Sequence, residues 1–179
     1  MLIGMRIPRH FFIAMGTGES DLADHAGSFH IALQDAGIEM CNIMQYSSIL
    51  PAIAEQVSKP ELVHGSVMEV IMSQQTVENA GGLEVHAGIG YGWLYHRETG
   101  LKYGGIVCER GQVGGTDEGL SVLLQDSLVE IYQGFVDQYE LRDVKLLVKG
   151  FRPSARYGTA LVSLCFVDYE VEEVGLCHP

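Results

Sequence analysis

Serine hydroxyls, carboxylates and imidazoles are the groups here that could attack a carbonyl or pass a proton, so their spacing is read first. Two adjacent serines, Ser47-Ser48, precede Ile49-Leu50-Pro51; from residue type alone they form a turn. Glu109 ends the run Ile106-Val107-Cys108. By itself it reads as a solvated strand end, although apolar neighbours favour the protonated carboxyl that a proton donor needs. No GxSxG elbow surrounds a serine, which argues against α/β-hydrolase chemistry. The seven histidines make no HExxH, HxH or Cys/His cluster, so no metal site is expected. Gly16-Thr17-Gly18-Glu19-Ser20-Asp21 has the glycines of an anion loop but lacks a Walker lysine, and its acids would repel phosphate. A plain turn is expected there.

These residues need elements to hold them. Phe11 to Met15 reads as a short buried strand that turns at Gly16-Thr17-Gly18. Phe29, Ala32, Leu33 and Ala36 form the stripe of a short helix, with Ser28 as N-cap and Gly37 just beyond its end. Residues 38–46 read as a strand, and Val67 to Met72 as another apolar segment. Residues 83–95 alternate most clearly: Val85, Ala87, Ile89, Tyr91 and Trp93 lie on one face, and Gly88, Gly90 and Gly92 on the other. That glycine face should let a second layer pack close. His96 to Gly100 reads as a hairpin loop and Lys102 to Glu109 as the returning strand. Thr116-Asp117-Glu118 opens a long helix striped by Leu120, Leu124, Leu128, Ile131, Phe135 and Tyr139, expected to end near Arg142. Val144 to Val148 and Thr159 to Val167 read as strands. The order of elements favours an α+β layered sandwich over a βαβ-repeating parallel sheet.

Composition sets the class. The 179 residues suit one domain, 1–179, and 47% hydrophobic against 19% charged residues excludes a disordered chain. A net charge of -12 argues against nucleic acid as a partner. No apolar run approaches the length of a membrane helix, and residues 1–10 have no charged segment followed by a long apolar core. Cys41, Cys108, Cys165 and Cys177 are scattered without a CxxC pair and read as reduced thiols. A cytoplasmic protein without membrane contact is expected.

One stretch is more specific than its composition. Ser28-Phe29-His30-Ile31-Ala32-Leu33-Gln34-Asp35-Ala36-Gly37-Ile38, then Asn42, then Tyr46-Ser47-Ser48-Ile49-Leu50-Pro51, resembles the pyruvoyl-dependent arginine decarboxylases. His64-Gly65-Ser66-Val67-Met68-Glu69-Val70-Ile71-Met72 resembles the bacterial members, and Gly104-Gly105-Ile106-Val107-Cys108-Glu109 the family's acid-bearing strand. The resemblance is specific over residues 16–51 and architectural in the last third.

It implies a self-made cofactor on an αββα sandwich. The chain would cut itself between Ser47 and Ser48 into a short N-terminal and a longer C-terminal chain, leaving a covalent pyruvoyl group derived from Ser48. Residue chemistry fits: the Ser48 hydroxyl attacks the Ser47 carbonyl, and a side-chain amide can steady the oxyanion. Asn42 matches the family position credited with that help, and Glu109 matches the proton donor. The catalytic set is thus Ser48, Glu109 and Asn42. The ketone takes up the electrons released with CO2 from a small-molecule amino acid, arginine being the first expectation. Family members are homotrimers of cleaved protomers with sites between them; a higher assembly of trimers is the alternative.

Geometry raises a question. Asn42 and Ser47 have opposite parity, and six residues of straight strand separate Asn42 from Ser48 by about 20 Å. Either the chain bends sharply after Gln45, or Asn42 serves a site completed by another subunit, the option that trimeric relatives favour. Two positions also depart from arginine-specific relatives: His30 stands where they carry an aspartate implicated in holding substrate, and Glu39 where an archaeal relative has glycine. Both are expected in the substrate pocket. The alternatives are the same chemistry on another amino acid, or a catalytically silent relative that assembles with an active partner.

Overall fold

Phe11 and Phe12 are adjacent on one strand, yet both are buried, at 0% and 1% exposure. Successive strand residues point to opposite faces, so their sheet must be covered on both sides. A computed structural model of the chain describes residues 2–79 and 81–174 and shows how. The strand, β1, runs Leu2–Ser20. Phe11 joins one apolar cluster with Ile71, Ile89, Tyr91, Val107, Leu164 and Phe166. Phe12 joins a second with Ala32, Leu33, Ala36, Ile38 and Cys165.

The remaining elements are α1 (His30–Ala36), β2 (Asn42–Gln45), β3 (Ile49–Pro51), β4 (Glu55–Gln56), β5 (Val67–Glu78), β6 (Val85–His96), β7 (Lys102–Val113), α2 (Asp117–Tyr132), β8 (Tyr139–Phe151) and β9 (Tyr157–Val174). A five-stranded sheet has the order β2-β5-β9-β1-β4, and a four-stranded sheet the order β3-β7-β6-β8. In the first, β9 pairs antiparallel with β1 and β5, while β2 runs parallel to β5 and β4 to β1. The second is antiparallel throughout. The Phe11 cluster draws on strands of both sheets, and the Phe12 cluster joins α1 to the five-stranded sheet. A third cluster packs Leu120, Leu124 and Leu128 of α2 on Leu94, Ile106 and Cys108. Each large side chain so buried contributes about 1.5–3 kcal/mol. Among the described residues the fold is α+β, mostly sheet with two α-helices.

Several local expectations are corrected. β1 does not turn at Gly16-Thr17-Gly18; it continues to Ser20. The glycines serve packing instead: a Cβ on Gly16 would lie 2.1 Å from the Ala32 carbonyl oxygen, and one on Gly18 2.3 Å from that of Ser28. Ser28 is not an N-cap, because a π-helical turn, Asp24–Phe29, precedes α1 and leads into it. The Ser28 hydroxyl bonds instead to Thr159 Oγ1 at 2.8 Å. Gly37 does end α1, at φ 68°, the left-handed conformation glycine adopts at no cost. The strand expected over 38–46 is confined to Asn42–Gln45. The long helix starts as expected, with Thr116 accepting from the Gly119 N–H, but it ends at Tyr132 rather than near Arg142. Its stripe therefore stops at Leu128: Ile131 is exposed, and Phe135 and Tyr139 lie beyond the helix. The glycine face of β6 behaves as expected. Cβ atoms on Gly88 and Gly90 would meet Leu124 Cδ1 at 2.7 Å and Leu128 Cδ1 at 3.0 Å.

Candidate active site

β2 and β3 are edge strands of different sheets, and only Tyr46, Ser47 and Ser48 join them. Each side of this crossover is tied down separately. The Tyr46 N–H donates to the Val70 carbonyl at 2.7 Å, and its ring lies 5.6 Å from that of Phe166. Beyond the crossover, Ile49 pairs with Ile106 of β7, and the Val107 N–H donates to the Ser48 carbonyl at 3.2 Å. The Ser47–Ser48 peptide thus spans the gap between two hydrogen-bonded ladders. Ser47 is exposed and Ser48 half-buried.

Here the structure joins two of the expected residues. Ser48 Oγ donates to Glu109 Oε1 at 2.7 Å and lies 2.8 Å from Oε2. Glu109, half-buried on β7, has the strand parity of Val107, which faces the five-stranded sheet. A carboxylate that accepts from a hydroxyl can take its proton as the oxygen becomes a nucleophile. The electrophile is one residue away: attack of Oγ on the Ser47 carbonyl carbon closes a five-membered ring. That carbonyl is already polarised, because the Ile49 N–H donates to it at 2.9 Å across a three-residue turn centred on Ser48. This backbone donor had no side-chain signature and was invisible in the sequence.

Asn42, His30 and Glu39 are placed elsewhere. The chain does leave its sheet after Gln45, but this does not bring Asn42 to Ser48. The Asn42 amide donates to the Gly65 carbonyl at 2.9 Å and is exposed on the edge of β2. His30 is exposed at the first position of α1, and Glu39 half-buried in the turn after it.

Beside Ser47 opens a cleft of about 340 Å³, lined by Arg6, Ile7, Pro8, Tyr46, Ser47 and Ile49 among others. Arg6 reaches from it to the buried carboxylate of Glu69. Neither the cleft nor this contact is visible from spacing along the chain. The one available signal was an acid inside the apolar run Val67 to Met72.

Cys41, Cys108 and Cys165 are free thiols; Cys177 lies outside the described residues. Burial pushes the Cys165 thiol up to about 12 and also raises that of Cys108 beside Glu109, so neither is a ready nucleophile. Among the described residues no group of three or more His, Cys, Asp or Glu could hold a metal ion, and no helix is long and apolar enough to cross a membrane.

The profile of the pyruvoyl-dependent arginine decarboxylase family matches residues 10–171. A protein of that name from Methanopyrus kandleri is 39% identical over 70 residues, covering 39% of this chain and 45% of the relative. Pyruvoyl-dependent arginine decarboxylase 2 of Archaeoglobus fulgidus is 36% identical over 88 residues, 47% of this chain and 54% of the relative. The Thermoplasma volcanium pyruvoyl-dependent arginine decarboxylase is 33% identical over 89 residues, 48% and 47% of the two chains. The matched stretch spans about half the length of these curated relatives. The family profile reaches further, from β1 through the crossover and both sheets into β9, and this chain belongs to the pyruvoyl-dependent arginine decarboxylase family.

Proposed function

We propose that the chain is the precursor of a pyruvoyl-dependent decarboxylase that converts arginine to agmatine and CO2. It would cut itself between Ser47 and Ser48, with the pyruvoyl group made from Ser48. The observation that carries this reading is the hydrogen-bonded contact of the Ser48 hydroxyl with the Glu109 carboxylate, at 2.7 and 2.8 Å.

The steps follow from the residues present. Glu109 takes the hydroxyl proton as Ser48 Oγ bonds to the Ser47 carbonyl carbon. The charge that develops on the carbonyl oxygen faces the Ile49 N–H. The C–N bond then breaks, the nitrogen regains a proton, and an ester replaces the amide. Loss of the Ser48 α-proton expels Ser47 as a carboxylate, and water displaces the nitrogen of residue 48 as ammonia. Cleavage here breaks no ladder, since β2 stays on β5 and β3 on β7; in this respect the site suits the group. When present, a pyruvoyl ketone supplies a sink for the electron pair released with CO2. Glu109, bonded to the Ser48 hydroxyl, would then hold the proton destined for the substrate α-carbon.

The remaining roles belong to the same proposal. Asn42, exposed on an edge strand and bonded away from its own Ser47, would assist cleavage in a neighbouring protomer of a homotrimer, with assemblies of trimers as the larger form. His30 and Glu39 would contact the amino acid. Residues 1–179 would form one cytoplasmic domain, an αββα sandwich supported by the three apolar clusters. The replacement of a substrate-holding acid by His30 favours, as a second reading, the same chemistry on another amino acid.

Intact mass after incubation tests the proposal. Expected are a fragment ending at Ser47 and one starting at residue 48 whose blocked N-terminus resists Edman degradation, with CO2 released from arginine. A chain that stays whole yet decarboxylates arginine would overturn it.

A further inference from the structure

Glu69 is a carboxylate with half of its binding capacity unused. It is 2% exposed, between buried Met68 and Val70, where an unpartnered charge is costly. Its partner is the Arg6 guanidinium, on Oε1; Oε2 is buried with no hydrogen-bond partner among the described residues. A guanidinium is shaped to take both oxygens of a carboxylate at once, and Arg6 does not. The Arg6 side chain is 57% exposed although its guanidinium contacts buried Glu69, so Arg6 comes to this carboxylate from the solvent side. It also lies over the Tyr169 ring, 5.1 Å from the centroid, a face that favours a cation.

This receptor adjoins the chemistry. Arg6 lines the same cleft as Ser47 and Ile49. Glu69 is opposite Met44 in the β2–β5 register, and the next β5 residue, Val70, binds the Tyr46 N–H that leads into the crossover. Of the side chains named for the cleft, Arg6 carries the charge that a cationic substrate would have to displace or replace.

We propose that Glu69 is the specificity-determining carboxylate for a guanidinium-bearing substrate, and that Arg6 is an internal competitor holding its place from the N-terminal strand. The inference rests on the decarboxylase reading, and names the residue that recognises the substrate side chain. Substrate arginine would displace the Arg6 guanidinium from Glu69 while its α-amino end lies toward residue 48.

Binding of agmatine, followed by calorimetry on the self-cleaved full-length protein, reads this contact independently of turnover. Glu69→Gln keeps the shape and removes the charge, and should weaken agmatine binding about ten- to hundredfold. It should also raise the KM for arginine with kcat nearly unchanged, and leave the KM for neutral citrulline unmoved. Arg6→Ala should tighten agmatine binding several-fold by removing the competitor; it decides the matter should Glu69→Gln fail to fold. Unchanged agmatine binding in Glu69→Gln, or unchanged or weaker binding in Arg6→Ala, overturns the inference. The decarboxylase reading fails differently, by a wild-type chain that neither cuts at Ser47 nor releases CO2.

Discussion

Two polar pairs lie on opposite faces of the four-stranded sheet. Ser48–Glu109 is on the face toward the other sheet, and His86–Asp117 on the face toward α2. Both are short, at 2.7 Å for the first and 2.6 Å from His86 Nδ1 to Asp117 Oδ1 for the second. Their settings differ. His86 is 2% exposed, and Gly150 packs so tightly that a Cβ there would lie 2.1 Å from its Nδ1 and 2.3 Å from Asp117 Oδ1. Asp117 opens α2, where an acid complements the helix dipole. Both partners are thus fixed on regular elements, and the bond ties a helix to a sheet. Ser48 instead sits between two ladders, next to an exposed peptide. On the proposed function, the same kind of hydrogen bond would serve architecture where it ties a helix to a sheet, and chemistry where one partner borders a bond that can be broken.

The largest effect expected from this contrast is at Ser48. Ser48→Ala removes the nucleophile and should abolish cleavage and CO2 release, leaving a whole chain on denaturing gels. Its thermal midpoint should stay near that of uncut wild type, since the ladders on either side are intact. An unfolded Ser48→Ala chain would mean that this pair, too, is structural.

Glu109→Gln comes next. It keeps the shape and a hydrogen bond to Ser48 but loses the proton donor, so turnover should fall by roughly 10²–10⁴. The chain should still cut itself, more slowly, because the Ile49 N–H on the Ser47 carbonyl is untouched. Equal turnover in mutant and wild type would remove Glu109 from the mechanism.

His86→Asn should behave in the opposite way. Asparagine keeps a donor near the Nδ1 position but loses the ring that fills this tight site. Weakening a part-buried bond to a carboxylate costs about 1–3 kcal/mol, which for a chain of this size lowers the thermal midpoint by roughly 2–10 °C. Self-cleavage and kcat should be retained. A His86→Asn protein with normal stability and impaired turnover would break the comparison, since architecture and chemistry would no longer divide between the two faces.

How much of this was legible in the sequence depended on where each signal resides. Alternation exposed β6 and its glycine face, because period two is written in side chains. The start of α2 was legible in Thr116 and its acids. Its end was not: Ile131, Phe135 and Tyr139 keep helical spacing after the helix has stopped, and Phe135 and Tyr139 are buried partly by packing beside the helix cluster. Gly16 and Gly18 read as a turn because a glycine needed for close helix approach resembles one needed for a bend. At the site, residue resemblance led to Ser48 and Glu109, and the structure brings them together. The Ile49 amide and the Arg6–Glu69 contact depend on backbone conformation and on strands far apart in the chain.

The smallest expected effect tests whether cation recognition extends beyond Glu69. His30 is exposed on α1 and offers no negative charge, whereas aspartate would attract a guanidinium. An exposed ion pair is worth about 0–1 kcal/mol, so His30→Asp should lower the KM for arginine no more than about fivefold. Because the π-helical turn leads straight into α1, position 30 is not a free helix start, and the readout is the KM for arginine relative to citrulline. If that ratio shifts, His30 borders the pocket in the assembled enzyme and recognition is shared between α1 and β5. If it stays fixed while Glu69→Gln changes it, the cation is read from β5 without help from α1, and the side chain at position 30 has no part in substrate choice.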